Sequence, residues 1–155
     1  MKLTLIALGH KLPAWMQAGF DEYAKRMPPE ARIELIELKP EDRASKTVPR
    51  LLEVEGARID AAVPKHAERI VLDERGKMLT THQLADWMKQ WMAEGVSPCF
   101  IIGSADGLSP AIKQSAKRTA ALSGCTLPHG VARVVLAEQL YRAWSLLNNH
   151  PYHRE

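Results

Sequence analysis

Phe100-Ile101-Ile102-Gly103-Ser104-Ala105-Asp106-Gly107-Leu108-Ser109-Pro110 is the stretch from which the fold can be read. A short apolar run of strand length enters a loop with two glycines, and Ser109-Pro110 then offers a helix cap followed by proline at the first helical position. The same alternation extends outward in both directions. Strand candidates are Lys2 to Leu8, Arg32 to Leu38, Arg69 to Asp73, Cys99 to Ile102 and Leu122 to Leu127. Between them, Trp15 to Met27 puts Met16, Phe20, Tyr23, Ala24 and Met27 on one helical face, stopped by Pro28-Pro29. Val48 to Val63 carries Pro49 in its first turn and an apolar stripe of Leu51, Leu52, Ile59, Ala62 and Val63. Thr80 or Thr81 caps a helix with Leu84, Met88, Trp91 and Met92 inward, and Ser109 caps one running to about Ala121. Strands alternating with helices predict an α/β fold, a mostly parallel sheet with helices on both faces. No repeat or low-complexity linker interrupts the pattern, so residues 1–155 read as a single domain.

Composition agrees with that reading. The chain has 155 residues, 46% of them hydrophobic, enough for a substantial core. Its formal net charge of +3 permits contact with phosphate without demanding it. Cys99 and Cys125 each sit in an apolar run without CxxC spacing, which predicts buried, reduced thiols and neither a disulfide nor a metal site. The start, Met1-Lys2-Leu3-Thr4-Leu5-Ile6-Ala7-Leu8, is too short for a secretion signal, and no apolar run reaches membrane-spanning length. A soluble cytoplasmic protein is expected.

In a parallel sheet, ligands bind beyond the carboxyl ends of the strands. Three segments therefore matter: Val71-Leu72-Asp73-Glu74-Arg75-Gly76, the loop from Gly103 to Gly107, and Leu122 to Leu127, read as a short buried strand closing in a turn at Pro128. The Gly103 to Gly107 spacing fits neither the dinucleotide fingerprint nor the P-loop, and a plain strand-to-helix turn explains it equally well. After Pro128 a helix follows, with Val131, Val135, Glu138, Tyr141 and Arg142 on neighbouring faces. The chain ends in Asn148-Asn149-His150-Pro151-Tyr152-His153-Arg154-Glu155, unusually rich in histidine, tyrosine and arginine for a terminus that would ordinarily be a solvated tail.

The loops and this ending, in this order, resemble a known family over nearly the whole chain. The residues that carry the resemblance are Lys2 to Gly9, Leu72-Asp73, Ile101-Ile102-Gly103-Ser104-Ala105-Asp106-Gly107-Leu108, Leu127-Pro128-His129, Arg133-Val134, Ala137-Glu138-Gln139-Leu140-Tyr141-Arg142-Ala143 and His150-Pro151-Tyr152-His153-Arg154-Glu155. The chain is similar to the ribosomal large-subunit pseudouridine methyltransferases of the SPOUT class. That resemblance implies a homodimer with a C-terminal trefoil knot, which ordinary topology rules would not supply. It implies S-adenosyl-L-methionine as methyl donor, with no metal, and a donor site lined by Leu72, Gly103, Leu122, Ser123, Gly124, Cys125, Thr126 and Leu127. Apolar walls and close backbone approach suit an adenine ring. The reaction implied is methylation of N3 of a pseudouridine in helix 69 of 23S rRNA, on assembled ribosomes.

Methyl transfer from a sulfonium requires alignment and help in deprotonating the imide nitrogen. Arg142 and Arg154 are assigned to phosphate or the target base, His153 to deprotonation and Tyr152 to packing against base or donor. Structural readings stand beside these: Arg142 paired with Glu138 one turn earlier, His129 as a turn or interface residue, and Trp87, Trp91 and Trp144 as core or dimer contacts. Where the family carries a second glycine this chain has Ser104, which would be strained at a positive φ or could hydrogen-bond the ligand. No RNA-binding appendage is visible, so Lys11, Arg43, Lys46, Arg50 and Arg75 are expected to form a basic surface that uses ribosome shape in recognition. Three other readings are a SPOUT enzyme for another RNA such as tRNA, a ribosome-associated binding or assembly factor without turnover, and a flavodoxin-like binding domain, which leaves the tail unexplained.

Overall fold

The computed structural model describes residues 1–44 and 46–153. Five strands, β1 (Leu3–Leu8), β2 (Ile33–Leu38), β3 (Glu68–Met78), β4 (Pro98–Ile102) and β5 (Arg118–Ala121), form one sheet in the order β2-β1-β4-β3-β5. Every adjacent pair is parallel. The connecting helices are α1 (Ala14–Ala24), α2 (Val48–Ala62), α3 (Thr81–Glu94), α4 (Pro110–Ser115) and α5 (His129–Leu147), and a short 3-10 turn covers Pro151–His153.

The central strands are apolar on both sides because both sheet faces are covered. Alternate residues feed two cores. Leu3, Leu5, Ile70, Phe100 and Ile102 face a cluster completed by Phe20 of α1, Met88 and Trp91 of α3, and Leu136 and Leu140 of α5. Their neighbours Ile6, Leu8, Val71, Cys99 and Ile101 face the opposite cluster, closed by Ile59 of α2 and Ile112 of α4. Thr80 caps α3 in a capping box: its hydroxyl accepts from the Gln83 amide at 3.1 Å and its amide donates to Gln83 Oε1 at 2.9 Å. Ser109 Oγ caps α4 in the expected way.

Four expectations are corrected. The fifth strand is Arg118–Ala121, and Leu122 to Leu127 is irregular, with Gly124, Cys125 and Thr126 exposed. Correspondingly, the helix begun at Ser109 ends at Ser115 and does not reach Ala121. The open edge of β3 captures residues 118–121 by backbone pairing, and that overrides the helical propensity of an alanine-rich segment. Cys125 is exposed, unlike buried Cys99, because its segment lies on the surface beyond β5. Met92 is likewise exposed, since Leu84, Met88 and Trp91 already define the inward face of α3.

β3 is longer than predicted. It pairs with β4 and β5 through Leu72, then departs from the ladder before Lys77 and Met78 rejoin β5. The excursion at residues 73–76 lifts Asp73, Glu74 and Arg75 out of the sheet at the carboxyl ends of the strands.

Candidate active site

A cavity of about 550 Å³ opens where those strand ends meet. Its walls come from the β3 excursion (Leu72 to Arg75), the loop after β4 (Ile102 to Leu108), Lys113 of α4, the loop after β5, and the first turn of α5 at His129 and Ala132. That volume suits a cofactor-sized ligand. Among the residues assigned from sequence to the donor site, Leu72, Gly103, Leu122, Ser123, Cys125, Thr126 and Leu127 all line it. Gly124 is set back from the cavity, against Met78.

Local chemistry explains how each wall is held. The loop after β4 doubles back as a turn in which the Gly107 amide donates to the Ser104 carbonyl at 2.8 Å. Gly107 takes φ +84°, and a side chain at Gly103 would begin 2.5 Å from the Gly107 carbonyl oxygen, so the turn closes onto a bare backbone. Outside glycine, positive φ among the described residues occurs at His66 and Asn149 and not at Ser104, so the strain considered for serine does not arise. The Ser104 hydroxyl is itself engaged, donating to Glu55 Oε1 at 2.9 Å.

Across the cavity, Thr126 Oγ1 donates to Glu74 Oε2 at 2.9 Å and ties the loop after β5 to the β3 excursion. The Arg75 amide, 3.0 Å away, and the Lys113 ammonium at 3.3 Å hold the Asp73 carboxyl below the usual carboxylate range. The walls therefore combine apolar leucines and an isoleucine with anchored polar groups at the rim.

His129 opens α5 at the cavity wall, and burial, reinforced by the Arg133 cation one turn on, pushes its imidazole down to about 4. Arg133 is fully buried and paired through Nη1 with Glu37 Oε2 at 2.9 Å. His129 is thus a neutral part of the cavity wall, a position that its reading as a turn residue did not anticipate.

Two of the residues assigned to catalysis, Arg142 and Tyr152, lie elsewhere. Arg142 donates through Nε to Glu138 Oε1 at 2.8 Å, the intrahelical pair that the sequence allowed. Tyr152 returns along the same helix: its hydroxyl donates to Glu138 Oε1 at 3.0 Å and its ring lies 4.7 Å from Tyr141, with the Arg142 guanidinium 5.0 Å over its face. Burial, Tyr23 and Glu138 all raise the Tyr152 hydroxyl above its ordinary range, so it stays a protonated donor. Neither Arg142 nor Tyr152 lines the cavity. From Ala132 at the cavity to Arg142 is roughly 15 Å along α5 at 1.5 Å per residue. The His153 side chain and Arg154 lie outside the described residues.

Comparison with known proteins follows the same outline. The family model described as "Predicted SPOUT methyltransferase" matches residues 1–153. The chain belongs to the SPOUT methyltransferase family. Relatives include proteins named Ribosomal RNA large subunit methyltransferase H from Ralstonia pickettii and Ralstonia nicotianae, each 57% identical over 99% of both chains. One of the same name from Burkholderia mallei is 56% identical over the same share. A crystal structure described as that of a methylase family protein from Neisseria gonorrhoeae superposes with a TM-score of 0.55 at 16% identity, covering 90% of this chain and 81% of that one, a likeness of fold.

The cavity's own geometry fits a cofactor-sized organic ligand. It offers leucine walls, a bare backbone turn at Gly103 and polar groups at the open rim. Sequence reasoning missed Lys113 and Ala132 as lining residues, because their helices meet the cavity only once the sheet order is known. Among the described residues, no group of three histidine, cysteine or acidic side chains is placed to hold a metal ion, and no helix is long and apolar enough to cross a membrane.

Proposed function

We propose that this chain methylates N3 of a pseudouridine in helix 69 of 23S rRNA, using S-adenosyl-L-methionine and acting on assembled ribosomes in the cytoplasm. The observation that carries the reading is the cavity built from the three segments picked out in sequence, in a chain 57% identical over 99% of its length to proteins named as large-subunit rRNA methyltransferases. Leu72, Gly103, Leu122, Ser123, Cys125, Thr126 and Leu127 hold the donor, with Gly124 supporting the loop from behind. The donor supplies an electrophilic methyl on a sulfonium, so no metal is needed in the chemistry. The protein's part is to exclude water, to align the imide nitrogen with the methyl carbon and to accept the imide proton.

Arg142, Tyr152, His153 and Arg154 are assigned to the target base and its phosphate, with His153 as proton acceptor. Since Arg142 and Tyr152 sit away from the cavity of their own chain, the site is completed in a homodimer, where one protomer's tail faces its partner's cavity. Residues 1–155 act as one domain, and a C-terminal trefoil knot is compatible with β5 pairing at the far edge of β3 before α5 returns to pack on α1 and α3. Ser104 takes an ordinary backbone conformation, so its replacement of the family glycine strains nothing at the cavity and is compatible with turnover.

Ribosomes from cells lacking the modification, treated with enzyme and donor, provide the test. Mass spectrometry of digested 23S rRNA should place one methyl on a helix 69 pseudouridine. A methyl on tRNA or on another nucleotide would reassign the substrate within the family.

A further inference from the structure

We infer that Glu55 is a positioning residue for the methyl donor: from the opposite sheet face it holds the 104–107 turn that forms the cavity rim. The inference rests on the reading of the cavity as the donor site. Glu55 lies on α2 and is 1% exposed, yet makes no ion pair among the described residues. A buried carboxylate without a cation is costly and persists where its oxygens are satisfied by hydrogen bonds. Both oxygens are. Oε1 accepts from Ser104 Oγ at 2.9 Å, and Oε2 accepts from the Glu41 amide at 2.9 Å. The same carboxylate thereby joins the cavity rim to the segment before α2.

Neighbouring contacts repeat the connection. Gly56 abuts Ser109 Oγ, so consecutive α2 residues support both ends of the loop after β4. Arg43 Nε reaches Asp106 Oδ2 at 2.6 Å, and Glu41 is itself held by Lys46 and Arg58. Ser104 and Asp106 both line the cavity, and the turn between them is fastened at each to the 41–55 region. A glycine in place of Ser104 could not make the first of these bonds. Its hydroxyl therefore fixes the rim from behind, and its proton is not left free to be donated to the ligand.

Ser104→Ala, Ser104→Thr, Glu55→Gln and the Ala/Gln double variant test this, using equilibrium binding of S-adenosyl-L-methionine, separate KM values for donor and ribosomes, and Tm. Ser104→Ala should weaken donor binding about threefold to tenfold, the scale of one hydrogen bond, while ribosome KM stays unchanged. Ser104→Thr, which keeps the hydroxyl, should restore binding. The double variant should lose less than the sum of the singles, since glutamine at 55 keeps one acceptor oxygen for which the Ser104 hydroxyl and the Glu41 amide compete, and without that hydroxyl the oxygen is free for Glu41. Should Glu55→Gln fail to fold, the alanine and threonine pair still decides. Donor binding by Ser104→Ala within twofold of the parent, or losses that add in full, would overturn the inference alone. A parent protein that binds no donor would overturn the cavity reading and this inference with it.

Discussion

At the scale of single residues, the site is defined by side chains whose protonation and access are set by burial. His129 resists protonation until about pH 4, whereas an unfolded chain takes up that proton near 6.5. Above 6.5 both states are neutral and the difference vanishes; below it the unfolded state binds the proton first, so stability falls with pH down to about 4. Arg133 and Glu37 are the charged groups facing the ring, and Arg133 adds to the depression. Urea unfolding should show the parent losing about 1–2 kcal/mol between pH 7 and pH 5 beyond the loss in His129→Gln. Identical pH dependence in the two proteins would mean that His129 is not held neutral. The two thiols form a second contrast. Burial pushes Cys99 up to about 12, while Cys125 is exposed on the cavity wall. Iodoacetamide should alkylate Cys125 and spare Cys99 in the native protein, and S-adenosyl-L-methionine should slow that reaction. Undiminished labelling at saturating donor would take Cys125 out of the donor site.

Among the elements, α5 joins the two halves of the proposed chemistry, beginning at the cavity with His129 and carrying Glu138 and Arg142 beneath Tyr152 toward its other end. A chain truncated after Asn149 should keep its fold and most of its donor affinity but transfer no methyl. An active truncation would sink the assignment of the tail. Mixed dimers of the truncated chain with a full-length Gly103→Ala chain, whose new methyl would collide with the Gly107 backbone, should recover activity if tail and cavity come from different protomers. The elements also show where sequence is informative. Leu5 and Ile6, or Phe100 and Ile101, announce a strand buried on both faces, and Thr80 with Gln83 announces a helix start, because these signals are local. Arg118–Ala121 carries no comparable signal: these four residues become β5 only because β3 offers an edge. Leu122, Ser123, Cys125, Thr126 and Leu127 line the cavity, yet the segment is not the strand its apolar sequence predicts, since those residues face a cavity and not a sheet. Glu55 could not be found at all, as its partner Ser104 lies 49 positions away and on another element.

For the whole molecule, a net charge of only +3 is modest for gripping RNA phosphates, so under the proposed function recognition is expected to draw on shape. Lys11 and Arg75 remain candidates for a basic surface, whereas Arg43, Lys46 and Arg50 already pair with Asp106, Glu41 and Glu53 within the chain. In the proposed homodimer that surface is doubled, and an assembled ribosome, as the proposed substrate, would present helix 69 in one fixed geometry and reduce the ordering cost of binding. Transfer should accordingly be strongly salt-dependent and poor on free RNA. The most direct measurement is transfer of radiolabelled methyl from S-adenosyl-L-methionine to intact unmodified ribosomes, separated large subunits and free ribosomal RNA, side by side. Label in the large-subunit RNA of intact ribosomes, with little in free RNA, is the predicted result; no label in any of the three, with donor still bound, would contradict it.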